Sequence, residues 1–207
     1  MVGFYNYTVI LTYFGVASAI SGIGLAMNGR TSMAIVCLMI SGFCDLFDGS
    51  VAKTRKRSEL EKKFGIQIDS LADLICFGVL PVVIGYSVGM TCWYQGLVLI
   101  AYALAALIRL GYYNVTEDLL QLSEHTPRTH YDGLPVTMSA LLFPLVYTLR
   151  PVIGESFSYL YMVWMLIIAA AFLTKVKIKK LGMKGMIAAA LLGLVVLIFL
   201  IIGWNQY

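Results

Sequence analysis

Seven times along this chain an apolar run reaches, or nearly reaches, the roughly 20 residues that a helix needs to cross the hydrocarbon of a bilayer. The runs are Thr8–Met27, Ser32–Val51, Gly65–Val88, Trp93–Tyr112, Leu134–Val152, Phe157–Thr174 and Gly185–Gly203. Only 13% of the residues are charged, against about 25% in soluble domains, too few to cover a water-facing surface. Soluble enzymes, nucleic-acid binders and disordered chains are thereby excluded. What remains is an all-α, polytopic integral membrane bundle, residues 1–207 forming a single domain of about seven spans, or eight if one run is split. Pro81 predicts a break near the far end of the third run, and Pro144 a kink in the fifth.

The charges that are present are sorted. Short cytoplasmic loops carry an excess of Lys and Arg. The loop after the second run holds Lys53, Arg55, Lys56, Arg57, Lys62 and Lys63, and the loop after the sixth holds Lys175, Lys177, Lys179, Lys180 and Lys184. With Arg109 and Arg128 around the fourth loop, 13 of the 15 basic residues fall on one side, and only Arg30 and Arg150 on the other. That asymmetry puts the N-terminus inside and the C-terminus outside, and it supports the span count independently of hydropathy. The basic loops also suit anionic lipid head groups. Cys37, Cys44, Cys76 and Cys92 form no CxxC pair and read as small buried hydrophobes. No basic n-region precedes the first apolar run, so no signal peptide is read. His125 and His130 lie in the polar fourth loop and are assigned no role.

Four acids break the apolar pattern. Ionisable side chains inside a span are costly and mark function, and here Asp45 and Asp48 stand three apart while Asp69 and Asp73 stand four apart. Both spacings put a pair on one helical face. The two helices are joined by a short charged connection, which makes them antiparallel neighbours with both pairs toward the connected ends. Four carboxylates converging in a weakly hydrated place cannot all be ionised unaided. A divalent cation resolves the repulsion, and oxygen-only ligands select Mg²⁺, Mn²⁺ or Ca²⁺. Two ions bridged by shared carboxylates would suit phosphoryl or phosphodiester transfer. The plainer alternative pairs the aspartates with Lys62, Lys63 or Arg57. Gly42, Gly49 and Ala52 lie on or next to the face of Asp45 and Asp48, and Gly65 stands one turn before Asp69. Such small residues permit helix packing or admit a flat ligand.

The run Asp45-Leu46-Phe47-Asp48-Gly49-Ser50-Val51-Ala52, followed by Gly65-Ile66-Gln67-Ile68-Asp69-Ser70-Leu71-Ala72-Asp73, resembles the signature of the CDP-alcohol phosphatidyltransferase family, DxxDGxxAR, a spacer, then GxxxDxxxD. Two departures stand out. Lys53 occupies the arginine position, with Arg55 close behind, and the spacer is longer than usual. Phe64–Pro81, Arg109-Leu110-Gly111-Tyr112-Tyr113-Asn114-Val115 and Tyr131-Asp132-Gly133-Leu134-Pro135-Val136 are similar to the phosphatidylserine synthase branch of that family.

The resemblance implies a six-helix core with at least one extra C-terminal span. It also implies an enzyme that transfers a phosphatidyl group from CDP-diacylglycerol to L-serine and releases CMP, acting near the cytoplasmic face of the cell membrane as a homodimer among membrane lipids. Asp45, Asp48, Asp69 and Asp73 would hold two divalent ions, Mg²⁺ or Mn²⁺, with Ca²⁺ able to occupy the site, and Asp73 would also be the general base. Gly49, Ala52, Lys53 and Gly65 would bind the CDP portion. Arg55, Arg109 and Asn114 are candidates for a phosphate or the serine carboxylate, with Asp132 beside Asn114 for orienting the amino acid; Arg109 reads equally as an interfacial anchor. Other acceptors (glycerol phosphate, inositol phosphate), an ether-lipid donor, and a divalent-cation transporter are the alternatives. A transporter would place its acids near mid-bilayer and often carry an inverted repeat.

Overall fold

The structure, a computed structural model, describes residues 3–4, 7–52, 54–55, 58–122, 130–175, 177–179 and 183–204. Among these, the helices in chain order are α1 (Ile10–Met27), α2 (Thr31–Ala52), α3 (Glu59–Asp73), α4 (Leu80–Ser87), α5 (Trp93–Leu122), α6 (Ser139–Tyr147), α7 (Arg150–Ile153), α8 (Phe157–Leu173) and α9 (Met183–Trp204). Five stretches are long and apolar enough to cross a membrane: Ile10–Met27, Thr31–Gly49, Glu59–Ser87, Trp93–Thr116 and Arg150–Leu173. Two shorter apolar helical stretches, Val136–Tyr147 and Ile187–Leu200, complete the set. Each of the seven apolar runs therefore has its helix, and the chain is a polytopic membrane bundle. Its outward side chains are apolar, as a lipid-facing surface requires: Phe14, Trp93 and Val152 are among the most exposed.

The first two helices pack along much of their length. The buried positions of α1 are Thr12, Gly15, Ala19, Gly22 and Ala26, a stripe of small residues at helical spacing. A Cβ on Gly22 would lie 2.8 Å from the Cys37 Cβ of α2, so the backbones meet at a distance that no larger residue permits. Two side-chain bonds cross the seam, Ser41 Oγ to the Gly15 carbonyl at 2.8 Å and Ser18 Oγ to the Cys37 carbonyl at 3.0 Å. On the far side of the bundle an aromatic layer made by Tyr102, Phe143, Tyr147, Phe157, Tyr161 and Phe172 fills the core between α5, α6 and α8.

The break expected at Pro81 does not occur. Helix α3 passes into a π turn, Leu74–Val79, and then into α4, so Glu59–Ser87 is continuous. The reason is chemical. In an α-helix the Phe77 carbonyl would pair with the amide of residue 81, and proline has none. The Tyr102 hydroxyl supplies the missing donor at 2.7 Å and is itself paired with Ser139 Oγ at 2.9 Å. Tyr161 likewise donates to the Pro81 carbonyl at 3.0 Å. The fifth run is the one that divides: a 3-10 turn at Val136–Met138, α6 with Pro144 inside it, and the single turn α7, which opens at Arg150 and Pro151.

Two short strands join the helices. β1 (His130–Asp132) and β2 (Lys177–Lys179) pair antiparallel, with His130 opposite Lys179 and Asp132 opposite Lys177. They clasp the loop before α6 to the chain after α8 and leave the all-helical architecture unchanged.

Candidate metal and substrate site

The site begins with how α3 starts. Ser58 caps the helix: its Oγ accepts from the Glu61 amide at 3.3 Å, and the Glu61 carboxylate accepts from the Ser58 amide at 2.9 Å. The first turns of α3, Glu59 to Lys63, are charged, so they stand in water and the apolar part of the helix begins near Phe64. At 1.5 Å of rise per residue, Asp69 and Asp73 lie about 15 and 21 Å along α3, while Asp45 and Asp48 lie about 10 and 6 Å short of the end of α2. The reversal of the chain between α2 and α3 brings the acids of the two helices together.

Carboxylate oxygens of Asp45, Asp48 and Asp69 all lie within 4.8 Å of one another. Asp73 completes the group, within hydrogen-bonding reach of Asp45 as Asp48 is of Asp69. None of the four is exposed. The alternative pairing with Lys62 or Lys63 is absent among the described residues, where the ion pairs are Lys62–Glu59 at 2.7 Å and Arg55–Glu61 at 3.7 Å, both outside the acidic group, and Arg57 lies outside the described residues. Three mutually adjacent carboxylates with no basic partner among the described residues are an oxygen-only donor set, which fits a hard divalent ion.

One group at the site escaped the sequence reading. Thr12 Oγ1 donates to Asp48 Oδ2 at 3.3 Å. Thr12 is the first member of the α1 stripe, one turn before Gly15, so the seam that draws α1 against α2 also carries a hydroxyl to the acids. The signal in the sequence was the stripe itself, in which a single polar residue continues the small-residue spacing.

The other candidates separate. Gly49 is exposed, and a Cβ there would meet nothing within 4 Å, so the surface beside Asp48 is open. Gly42 is a packing residue instead: a Cβ on it would run into the Ala140 methyl of α6. Gly65 is partly buried on α3. Ala52 closes α2, its side chain outside the described residues, and Lys53 lies outside them altogether, as do His125 and the side chain of Asp132. Arg55 is exposed and turned to Glu61.

Asn114 of α5 accepts from Ser70 Oγ at 2.8 Å and donates to Gln67 Oε1 at 3.5 Å, which ties α5 to the turn of α3 that carries Asp69. Arg109 does not snorkel. It is 6% exposed, with Nε donating to the Leu134 carbonyl at 3.3 Å and Nη2 to the Gly133 carbonyl at 3.4 Å. It holds the loop that enters α6. Gly133 has φ +86°, and a Cβ there would lie 3.0 Å from the Thr174 carbonyl oxygen, so this turn accepts glycine alone.

With this geometry in hand, comparison with known proteins settles the kinship. Residues 5–176 match the CDP-alcohol phosphatidyltransferase family profile. The chain belongs to the CDP-alcohol phosphatidyltransferase family. Among its relatives, the CDP-diacylglycerol–serine O-phosphatidyltransferase of Saccharomyces cerevisiae is 33% identical over 151 residues, 70% of this chain and 54% of that protein. The enzyme of the same name from Mycobacterium bovis is 28% identical over 109 residues, 52% of this chain and 37% of the relative. The archaetidylserine synthase of Methanothermobacter thermautotrophicus is 26% identical over 139 residues, covering 67% and 56% respectively. The chain thus spans about half the length of these family members or less. Family membership places the acidic group of α2 and α3 inside the part of the chain that is shared.

Proposed function

We propose that the chain is a phosphatidylserine synthase, transferring a phosphatidyl group from CDP-diacylglycerol to the hydroxyl of L-serine with release of CMP. The observation that carries the reading is the trio Asp45, Asp48 and Asp69, drawn within 4.8 Å from two consecutive helices beside the open surface at Gly49. A pyrophosphate donor needs its charge met. Divalent ions, Mg²⁺ or Mn²⁺, held by these carboxylates together with Asp73 would supply that and polarise the phosphorus.

The chain's own groups do the rest. Asp73 accepts the proton of the serine hydroxyl as its oxygen bonds to the phosphatidyl phosphorus, and the bond from that phosphorus to the bridging oxygen breaks, leaving CMP. The surface at Gly49, with Gly65, Ala52 and Lys53, borders the cytidine. Thr12 orients Asp48 by its hydrogen bond. Arg55, exposed in the connection between α2 and α3, is the phosphate contact, and Asn114 faces the acceptor. Arg109 acts through the loop it holds, which sets the entry of α6 beside the site. The acyl chains stay in the bilayer, the site faces the cytoplasm, and the working unit is a dimer.

The likeness to an archaetidylserine synthase supports a second reading with the same acceptor and an ether-lipid donor. The test is direct. Purified protein with Mn²⁺ or Mg²⁺ and labelled serine should release CMP and form a serine phospholipid, and parallel reactions with diacyl and ether-linked CDP donors distinguish the two lipids. Absence of CMP release with any alcohol, together with divalent-ion flux in liposomes, would overturn the enzyme reading in favour of a transporter.

A further inference from the structure

Arg30 and Arg150 are the two basic residues that stand apart from the topological pattern, and they lie 120 positions apart in the chain. Both line one hollow of about 300 Å³, whose remaining walls are Gly29, Thr31, Ser32 and Met33. It sits at the opposite end of the bundle from the acids: Thr31 is fourteen residues, or about 21 Å of helix rise, before Asp45.

The hollow is built rather than accidental. Arg150 Nη1 donates to the Tyr147 hydroxyl at 2.6 Å, and the guanidinium carbon lies 5.4 Å from the Tyr147 ring centroid. That hydroxyl is held in turn by Ser32 Oγ of α2 at 2.9 Å. Arg30 is set by the turn that ends α1, where Gly29 has φ +75° and the Arg30 amide donates to the Leu25 carbonyl at 2.9 Å. Among the described residues neither arginine has a carboxylate in ion-pair distance. The first amides of α2, which have no partner within the helix, open at the same place.

Two guanidinium groups and a helix N-terminus, with no ion-paired acid among the described residues, are the donor set that an anion needs, and arginine forks match phosphate oxygens. The surroundings say how the anion arrives. Leu149 and Val152, beside Arg150, are 45% and 86% exposed, and Met27 is 77% exposed, so the hollow opens at the edge of the hydrocarbon. We propose that it binds the phosphate of an anionic lipid headgroup in the leaflet opposite the acidic site.

The test uses the full chain in detergent, titrated with phosphatidylglycerol and followed by native mass spectrometry and by lipid-dependent thermal stabilisation. Lipid held at the acidic site is common to all variants and cancels in the comparison. Arg30→Gln and Arg150→Gln should each weaken the added binding by about tenfold, the loss of one charge-assisted contact, and the double variant should retain one lipid fewer per chain. Arg30→Lys, which keeps the charge, should recover part of it. Arg30 is exposed, so its variants test the site without disturbing the fold. Equal retention by wild type and the double variant would overturn the proposal. Displacement of the lipid by inorganic phosphate alone would overturn the lipid assignment and give the hollow to a free anion.

Discussion

At the scale of single residues, the proposed reaction gives Asp73 the role of base beside its place among the metal-holding acids, and that role is testable. Asp73→Asn should abolish CMP release yet leave CDP-diacylglycerol binding largely intact; full activity in that variant would refute its role as base. Thr12 would act one step back, through Asp48. Thr12→Val keeps the shape and removes the hydroxyl that meets Asp48 at 3.3 Å. Its expected effect is about a tenfold rise in the metal concentration needed for half-maximal activity, the usual size for a group that orients a ligand. A change in maximal rate at saturating metal, with no change in metal requirement, would count against it. These two residues also show what the sequence made legible. The four aspartates were evident because a charge in a span is expensive and because all four fall within 29 consecutive positions. Thr12 was not, since its partner lies 36 residues away and its own surroundings look like ordinary packing. Gly42 shows a choice that the sequence leaves open. It sits on the acidic helix and suits either helix packing or a ligand surface, and Ala140 of α6, nearly a hundred positions later, makes it a packing residue.

At the scale of elements, the continuous helix through Pro81 depends on a donor from elsewhere. No local rule would have found it, because a proline in a helical pattern predicts a kink or stop, and the compensating hydroxyl belongs to Tyr102 of α5. Tyr102→Phe should leave the Phe77 carbonyl without its donor and cost about 1–3 kcal/mol, read as a lowered melting temperature. Adding Pro81→Ala restores a backbone amide to the same turn, so the double variant should be more stable than the sum of the two single changes implies. Additive losses would show that the hydroxyl is not standing in for the amide. The loop entering α6 is held in the same spirit. Gly133→Ala must shift the turn off Arg109 and the end of α8, and its loss should resemble that of Arg109→Ala, with no further loss when the two are combined.

At the scale of the whole molecule, the seven apolar runs and their helices agree in order, because spans are dictated by length and hydropathy alone. Where the fold departs from them is in the fifth run, whose division into α6 and α7 reflects packing that no single segment encodes. The orientation inferred from the basic loops has a simple check. Cys92 is exposed just before α5, at the end away from the acids, while Cys44 and Cys76 are buried. A membrane-impermeant maleimide should therefore label Cys92 from the outside of intact cells; labelling only after permeabilisation would invert the topology.

All four acids and Thr12 reside in the first 73 residues, within three successive helices. A ribosome delivers that segment before α5, α6 and α8 exist to surround it. The growing chain therefore brings its carboxylates to the bilayer before those helices can shield them, at the point where neutralisation, by protons or by a divalent ion, would ease their insertion.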